Sequence, residues 1–514
     1  MRLKGWVLSI LITAGPLSEA APHATSTVVL GPLTGFDAAL HPANSPELTY
    51  FGTDLGWSYR WGNEIRFLFG DTWASDKGDP IDPRHDDAFG SISLSEYPVP
   101  DHFLGANLPR VRLAQRPGTR QLAGLDAGRS MESLKTPLAG FSSGGDEFAI
   151  FITGKPQACT TDRDCGFGLS CDARLGFVGA PPEQDVGLTF PCRNGSAGCL
   201  KLPASRGLCA DPTSSLSSRT EFGMVAAAAI RHLVAVRDPA DDARYTHTRE
   251  WLTNKFYNVA ARAVAAFGPA GDRPVVLLWG RPGFVGVNAR QETLSAYFAY
   301  ADMPEGPDYP WTVHYFTGLD NKGHPDFAAD PARALALDLD AGRAGSQSRE
   351  VNDLVQQMSV VWIERLHKWV MFYGGGISRL PLPSLGPRCG ILEIFARSLC
   401  RDVRIGNGAL RMRSADNPWG PWSSPEDLFV GGDPDSRPVE KQYAAGGVLH
   451  HPKCKASGCQ QGSPSLPPGD YGWLYGANII EEWTRPSGNG VDIVWNASTW
   501  NPYRVILLRS HLEP

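Results

Sequence analysis

Five short apolar runs, each ending at glycine, punctuate the chain: IRFLFGD (Ile65–Asp71), FAIFITGK (Phe148–Lys155), PVVLLWGR (Pro274–Arg281), WVMFYGGG (Trp369–Gly376) and YGWLYGAN (Tyr471–Asn478). Each has strand length and is rich in β-branched and aromatic residues. Each follows another strand-like segment across a polar or glycine-containing turn, which is a hairpin pattern. GTDLGWSY leads into the first, TPLAGF into the second, YNVAARAVAAF into the third and QQMSVVWI into the fourth. YAAGGVLHH leads into the fifth through a longer Cys/Pro/Gly loop. A third strand is expected in FGSISLSEY (Phe89–Tyr97), FGMVAAAAI (Phe222–Ile230) and LSAYFAYA (Leu294–Ala301).

The unit is therefore a meander of three or four strands, repeated about five times over about 480 residues. Radial repetition of such sheets protects their edges, so the pattern predicts an all-β, five-bladed β-propeller over residues 27–514. A jelly roll or sandwich is the rival arrangement, and it does not need five similar hairpins.

Cysteine changes the picture at one place. Six of the ten cysteines fall between Cys159 and Cys209, while Cys389 and Cys400, and Cys454 and Cys459, form local pairs. An even count in local groups predicts disulfides in an oxidising compartment. Zinc is disfavoured because no Cys-x-x-Cys pair occurs. Residues 159–209 thus read as a small disulfide-stapled insertion within the propeller, and fifteen pairings are open to its six cysteines. The N-terminus agrees with export. Arg2 and Lys4 precede an apolar stretch, Gly5–Gly15, too short to span a bilayer, and small residues follow at Ser18, Ala20 and Ala21. Residues 1–21 read as a signal peptide, which makes the protein secreted or periplasmic, with no membrane attachment after cleavage. Lys+Arg 48 against Asp+Glu 54 leaves no polycationic surface for nucleic acid. Nothing in the sequence calls for self-association, so a monomer is expected.

Hairpin geometry gathers candidate chemistry at one rim. Asp54 starts the first strand of the first hairpin and Asp71 ends its second, so the two fall at one end of the sheet. Asp86 and Asp87 stand just before the third strand. The same counting puts Glu221 at that rim in the second unit, Asn258 and Arg281 in the third, Gln357 in the fourth, and Glu440 and Asn478 in the fifth. Trp57 and Trp73 lie close by in sequence. Paired carboxyls with aromatic platforms are the equipment of sugar hydrolysis, one carboxyl donating a proton and the other activating water or attacking the sugar carbon. Asp54, Asp71 and Glu221 are the expected catalytic acids. Trp57, Trp73, Asp87, Asn258, Arg281, Gln357 and Glu440 are the expected substrate contacts. The bland alternative is that these acids cap turns. Adjacent His450 and His451 would face opposite ways on a strand, so no metal site is expected there.

These segments carry a resemblance. FGTDLGWSYRWGNEIRFLFGDTW (Phe51–Trp73), SVVWIERLHKWVMFYGG (Ser359–Gly375), NPWGPWSSPEDLF (Asn417–Phe429) and STWNPYRVILLRSHL (Ser498–Leu512) resemble the domain-of-unknown-function family 4185. The resemblance implies a five-bladed propeller related to arabinanase-type glycoside hydrolases, some relatives being endo-D-arabinanases that cut arabinofuranose polymers. It carries the family acids onto Asp54 and Asp71, and leaves Glu221 resting on geometry. No cofactor is expected, and a structural cation in the central channel is compatible with related propellers. The expected partner is a polysaccharide or oligosaccharide. The expected function is a secreted glycoside hydrolase; the alternative is a non-catalytic glycan-binding or adhesion propeller.

Overall fold

Three of the glycine-terminated runs are apolar at consecutive positions rather than at alternate ones, and the fold explains why. Val275–Trp279, Ala149–Ile152 and Val370–Tyr373 are fully buried at every residue. A strand of this kind is covered on both faces of its sheet. In the computed structural model both covers are neighbouring sheets.

The structure describes residues 21–34, 50, 52–74, 87–98, 103, 107–119, 121–127, 134–154, 158–164, 170–172, 177–179, 199–201, 207–210, 231–251, 253, 255–281, 296–339, 357–374, 378–380, 403–405, 409–430, 474–499 and 504–514. Among these there is no α-helix. Five antiparallel sheets of four or five strands form the body. Blade 1 runs outward through Leu55–Trp61, Glu64–Phe69, Ala88–Ser93 and Arg112–Leu113. Blade 2 uses Leu134–Ser143, Asp146–Gly154, Arg231–Asp238 and Asp241–Trp251. Blade 3 uses Asn258–Phe267, Arg273–Arg281, Tyr297–Asp302, Val313–Leu319 and Pro325–Ala328. Blade 4 uses Met358–Ile363, Lys368–Gly374, Ala409–Ala415 and Glu426–Val430.

Blade 5 is built from both ends of the described chain. Leu474–Ile479 is innermost, followed by Gly490–Thr499 and Arg504–Glu513, and the outer strand is His23–Pro32 from the N-terminal side. Arg485–Ser487 pairs with the second strand. The first strands of blades 1 to 5 touch in cyclic order, and that of blade 5 returns to blade 1. This closed ring makes the protein a five-bladed β-propeller. Its core lies in the seams between blades. The seam of blades 2 and 3, for example, packs Phe148, Ile150 and Val234 against Phe256, Val276 and Leu278.

Two sequence expectations change. The first four glycine-terminated runs are second strands, but the fifth, Leu474–Ile479, is the inner strand of its blade. The physical reason is that its partners, Gly490–Thr499, Arg504–Glu513 and His23–Pro32, lie downstream or at the far end of the chain. Asn478 accordingly sits on the inner strand opposite Asn496, not at a rim. In blade 2 the third strand is Arg231–Asp238. The expected third strand, 222–230, and the segment YAAGGVLHH lie outside the described residues. Within the Cys-rich insertion, Cys159 and Cys171 form a disulfide. Asp162 Oδ1 accepts the Cys171 N–H at 2.7 Å, and Asp164 Oδ2 accepts the N–H groups of Thr160 and Thr161 at 2.6 and 2.9 Å. These carboxylates brace the stapled loop.

Candidate functional site

All five inner strands start at the same end of the ring, so the starts of first strands, the ends of second strands and the starts of third strands share one mouth. In blade 1 the ladder runs past the strand ends. Leu55 pairs with Phe69, the Gly70 N–H donates to the Asp54 carbonyl at 3.1 Å, and Gly52 bridges to Trp73. Thr53 and Thr72 join their hydroxyls at 2.7 Å beside this extension. Asp54 and Asp71 are thereby brought to one hairpin end.

Gly70 leaves room there for the Asp54 and Leu55 side chains. A side chain at this position would collide with Asp54 Oδ1 and come within 2.7 Å of Leu55 Cδ1. The Asp54 carboxylate therefore lies over the residue that directly precedes Asp71. Asp54 is 7% exposed. Its Oδ2 accepts a hydrogen bond from the Tyr475 hydroxyl at 2.5 Å. Tyr475 comes from the start of the blade 5 inner strand, and its ring packs with Leu55, Trp57 and Tyr59. Asp71 is partly exposed at the mouth.

Gln357 converges on the same place from blade 4. A methyl group at Gly476 would lie 3.4 Å from Gln357 Oε1, 3.5 Å from Ser498 Oγ and 3.6 Å from Leu55 Cδ2. Asp54, Gln357, Tyr475 and Ser498 are thus neighbours drawn from three blades. Asn258 and Arg281 face each other as strand partners in blade 3. Both are buried, and the Arg281 carbonyl accepts the Tyr257 N–H at 2.8 Å. Burial lowers the Arg281 guanidinium to about 10, so it stays charged at neutral pH. Asp87 is buried at the start of the third strand of blade 1, and its carbonyl accepts the Leu125 N–H at 2.8 Å.

Trp57 and Trp73 depart from the expected stacking platforms. They are 5% and 8% exposed and belong to the core between blades 1 and 2, with Leu68, Phe89 and Phe151. Their large rings are spent on packing, as aromatic rings at blade seams commonly are. Glu221 and Glu440 lie outside the described residues. No group of three or more metal-ligating side chains occurs among the described residues.

Sequence reasoning missed Tyr475, Ser498 and His232. The first two were hidden by taking the fifth run for a second strand. His232, in the third strand of blade 2, has its Nε2 3.3 Å from the Tyr257 carbonyl oxygen and is fully buried. Burial lowers its imidazole to about 4 and keeps it neutral.

No protein-family model matches the chain, and no curated protein matches it. Solved structures share a distant likeness. The GH43_1 enzyme from Xanthomonas citri is 10% identical, with 91% of this chain and 89% of that chain covered and a TM-score of 0.35. CoXyl43, a GH43 β-xylosidase/α-arabinofuranosidase from a compost microbial metagenome solved with xylotriose, is 9% identical, with 95% and 94% covered and a TM-score of 0.35. Trypanosoma rangeli sialidase in complex with sialic acid is 10% identical, with 96% and 58% covered and a TM-score of 0.31. The propeller is defined by the ring of sheets in this chain itself.

Proposed function

We propose that this propeller is an exported glycoside hydrolase whose reacting carboxyl groups are Asp54 and Asp71. The observation that carries the reading is the place of Asp54 Oδ1 over Gly70, which puts two carboxyl-bearing residues at one hairpin end of the mouth. Asp54 takes the part of base or nucleophile, because a carboxylate that accepts a short hydroxyl hydrogen bond is fixed with its negative charge in place. Asp71, the more open of the two, takes the part of proton donor to the leaving oxygen. Gln357, whose Oε1 lies beside Gly476 next to the Asp54 neighbourhood, is the polar group assigned to orient a sugar hydroxyl there. Asn258 and Arg281 are 1% and 0% exposed and are assigned no substrate contact. The sequence resemblance supports a furanose polymer, arabinan or arabinogalactan, as substrate.

The test is a glycan screen with the secreted chain, followed by two variants. Asp54→Asn is expected to lower turnover roughly 100- to 10,000-fold on every substrate. Asp71→Asn is expected to do the same on polysaccharide, yet to recover much of its rate on aryl glycosides, whose leaving group needs no proton. Retention on a polysaccharide column with no soluble fragments released would instead favour a glycan-binding propeller. Full activity in both variants would refute the assignment.

A further inference from the structure

Asp54 is delivered by backbone that does not hold its own shape. Leu55 and Gly56, which follow it, have φ of 63° and 80°. Two consecutive left-handed residues, one of them leucine, persist only where the surroundings over-determine them. They form a bulge, since the register slips between Leu55 and Trp57 against the second strand. The bulge turns Asp54 toward blade 5.

The side chains that bind this bulge come from blade 5. Ser498 Oγ accepts the Leu55 N–H at 2.6 Å. Asn496 Nδ2 donates to the carbonyls of Leu55 and Gly56, each at 3.1 Å. Asn478 Nδ2 donates to the Gly56 carbonyl at 3.0 Å and to Asn496 Oδ1 at 2.8 Å. The Tyr475 hydroxyl completes the set on Asp54 Oδ2. Asn496, Ser498 and Asn478 are 0%, 0% and 4% exposed, so these bonds form away from water, where they orient most strongly.

We propose that Tyr475 is the positioning residue for the Asp54 carboxylate, and that the blade 5 cradle of Asn478, Asn496 and Ser498 fixes the backbone from which that carboxylate projects. The inference rests on the reading of Asp54 as a reacting group. The Tyr475 ring is anchored in the core, so its hydroxyl is a donor already in place when substrate arrives. Phenylalanine would fill the same core volume; the hydroxyl serves Asp54.

The test uses the full chain. Tyr475→Phe is expected to lower kcat roughly 10- to 100-fold on a glycan the wild type cleaves, with KM unchanged. Ser498→Ala, which frees the Leu55 N–H, is expected to show the same split and decides the matter if the first variant misfolds. A purely structural tyrosine would lower the melting temperature and leave kcat intact, which would overturn the proposal. A second readout is independent of activity. The short O–H···O⁻ bond is expected to give a downfield, exchange-protected hydroxyl proton resonance, lost in Tyr475→Phe and displaced upfield in Asp54→Asn. Its absence from the wild type would also overturn the proposal. If the wild type cleaves no glycan, the hydrolase reading fails, while this resonance, its loss in Tyr475→Phe and its upfield shift in Asp54→Asn still report whether Tyr475 holds Asp54.

Discussion

His232 is fully buried against Trp251, with ring centroids 5.2 Å apart, in the third strand of blade 2. Its imidazole ionises at about 4 in the fold against 6.5 as an ordinary group. Below pH 6.5 the unfolded chain therefore binds a proton that the folded chain refuses. Stability is fully present above that pH, declines as pH falls toward 4, and levels off below it. The whole loss is about 3 kcal/mol. Urea unfolding of wild type and His232→Gln between pH 7 and 4 should show a shallower decline in the variant. Parallel declines would show that the ring is not the group responsible. At this scale the site was half legible. Gly-Thr-Asp and Gly-Asp-Thr mark the two ends of one short hairpin, so Asp54 and Asp71 could be paired by counting. Tyr475 could not, because its contact spans 421 residues and depends on which strand of blade 5 it occupies. Trp57 and Trp73 were misjudged because nearness in sequence to the mouth does not reveal which way a ring turns.

Where blades 1 and 2 meet, a buried carboxylate ties two elements together. Glu147, 2% exposed, accepts the Tyr59 hydroxyl at 3.0 Å, pairs with Arg66 at 3.2 Å and forms a short ion pair with Arg237. Arg237 also bonds Asp242 at 2.8 Å, and Arg66 pairs with Glu64 at 2.6 Å. Burial pushes the Tyr59 and Tyr245 hydroxyls well up, so both stay protonated beside the carboxylate. Glu147→Gln removes the negative charge shared by two guanidinium groups and should cost about 3–5 kcal/mol, read from chemical denaturation. A loss below about 1 kcal/mol would mean the pair behaves like an exposed surface bridge. Strands themselves were easy to find, since AIFI, VVLLW and VMFY are continuously apolar, IRFLF is apolar but for Arg66, and each run reaches a glycine within two residues. Their rank within a blade was harder. A buried second strand and a buried inner strand have the same pattern, so LYGANI gave no local sign of being innermost. The outer strand of its sheet is also four hundred residues and more away along the chain.

The molecule as a whole is closed by that distant strand. His23–Pro32 pairs along Arg504–Glu513, and its edge is fastened further by Ala24 N–H to Glu426 Oε1 at 2.7 Å and Thr27 to Ser510 at 2.8 Å. Leu30 and Leu33 are buried with Ile65 and Phe67 of blade 1 and Val505 and Leu507 of blade 5, so the clasp stitches the first blade to the last. The same seam carries Tyr475, Asn478, Asn496 and Ser498 onto Asp54, Leu55 and Gly56. Removing residues 21–34 would expose the Arg504–Glu513 edge to other chains and withdraw two leucines worth about 1.5–3 kcal/mol each from the core. The truncated chain should melt at lower temperature and associate in size-exclusion chromatography. It should also lose the downfield Tyr475 hydroxyl resonance, because the seam that holds Asp54 loses its outer support. A synthetic peptide of residues 21–34 should add back as a strand and restore both melting temperature and resonance. If truncation left the melting temperature and the resonance unchanged, the ring would be held shut by its inner strands alone, and the setting of Asp54 would be independent of the clasp.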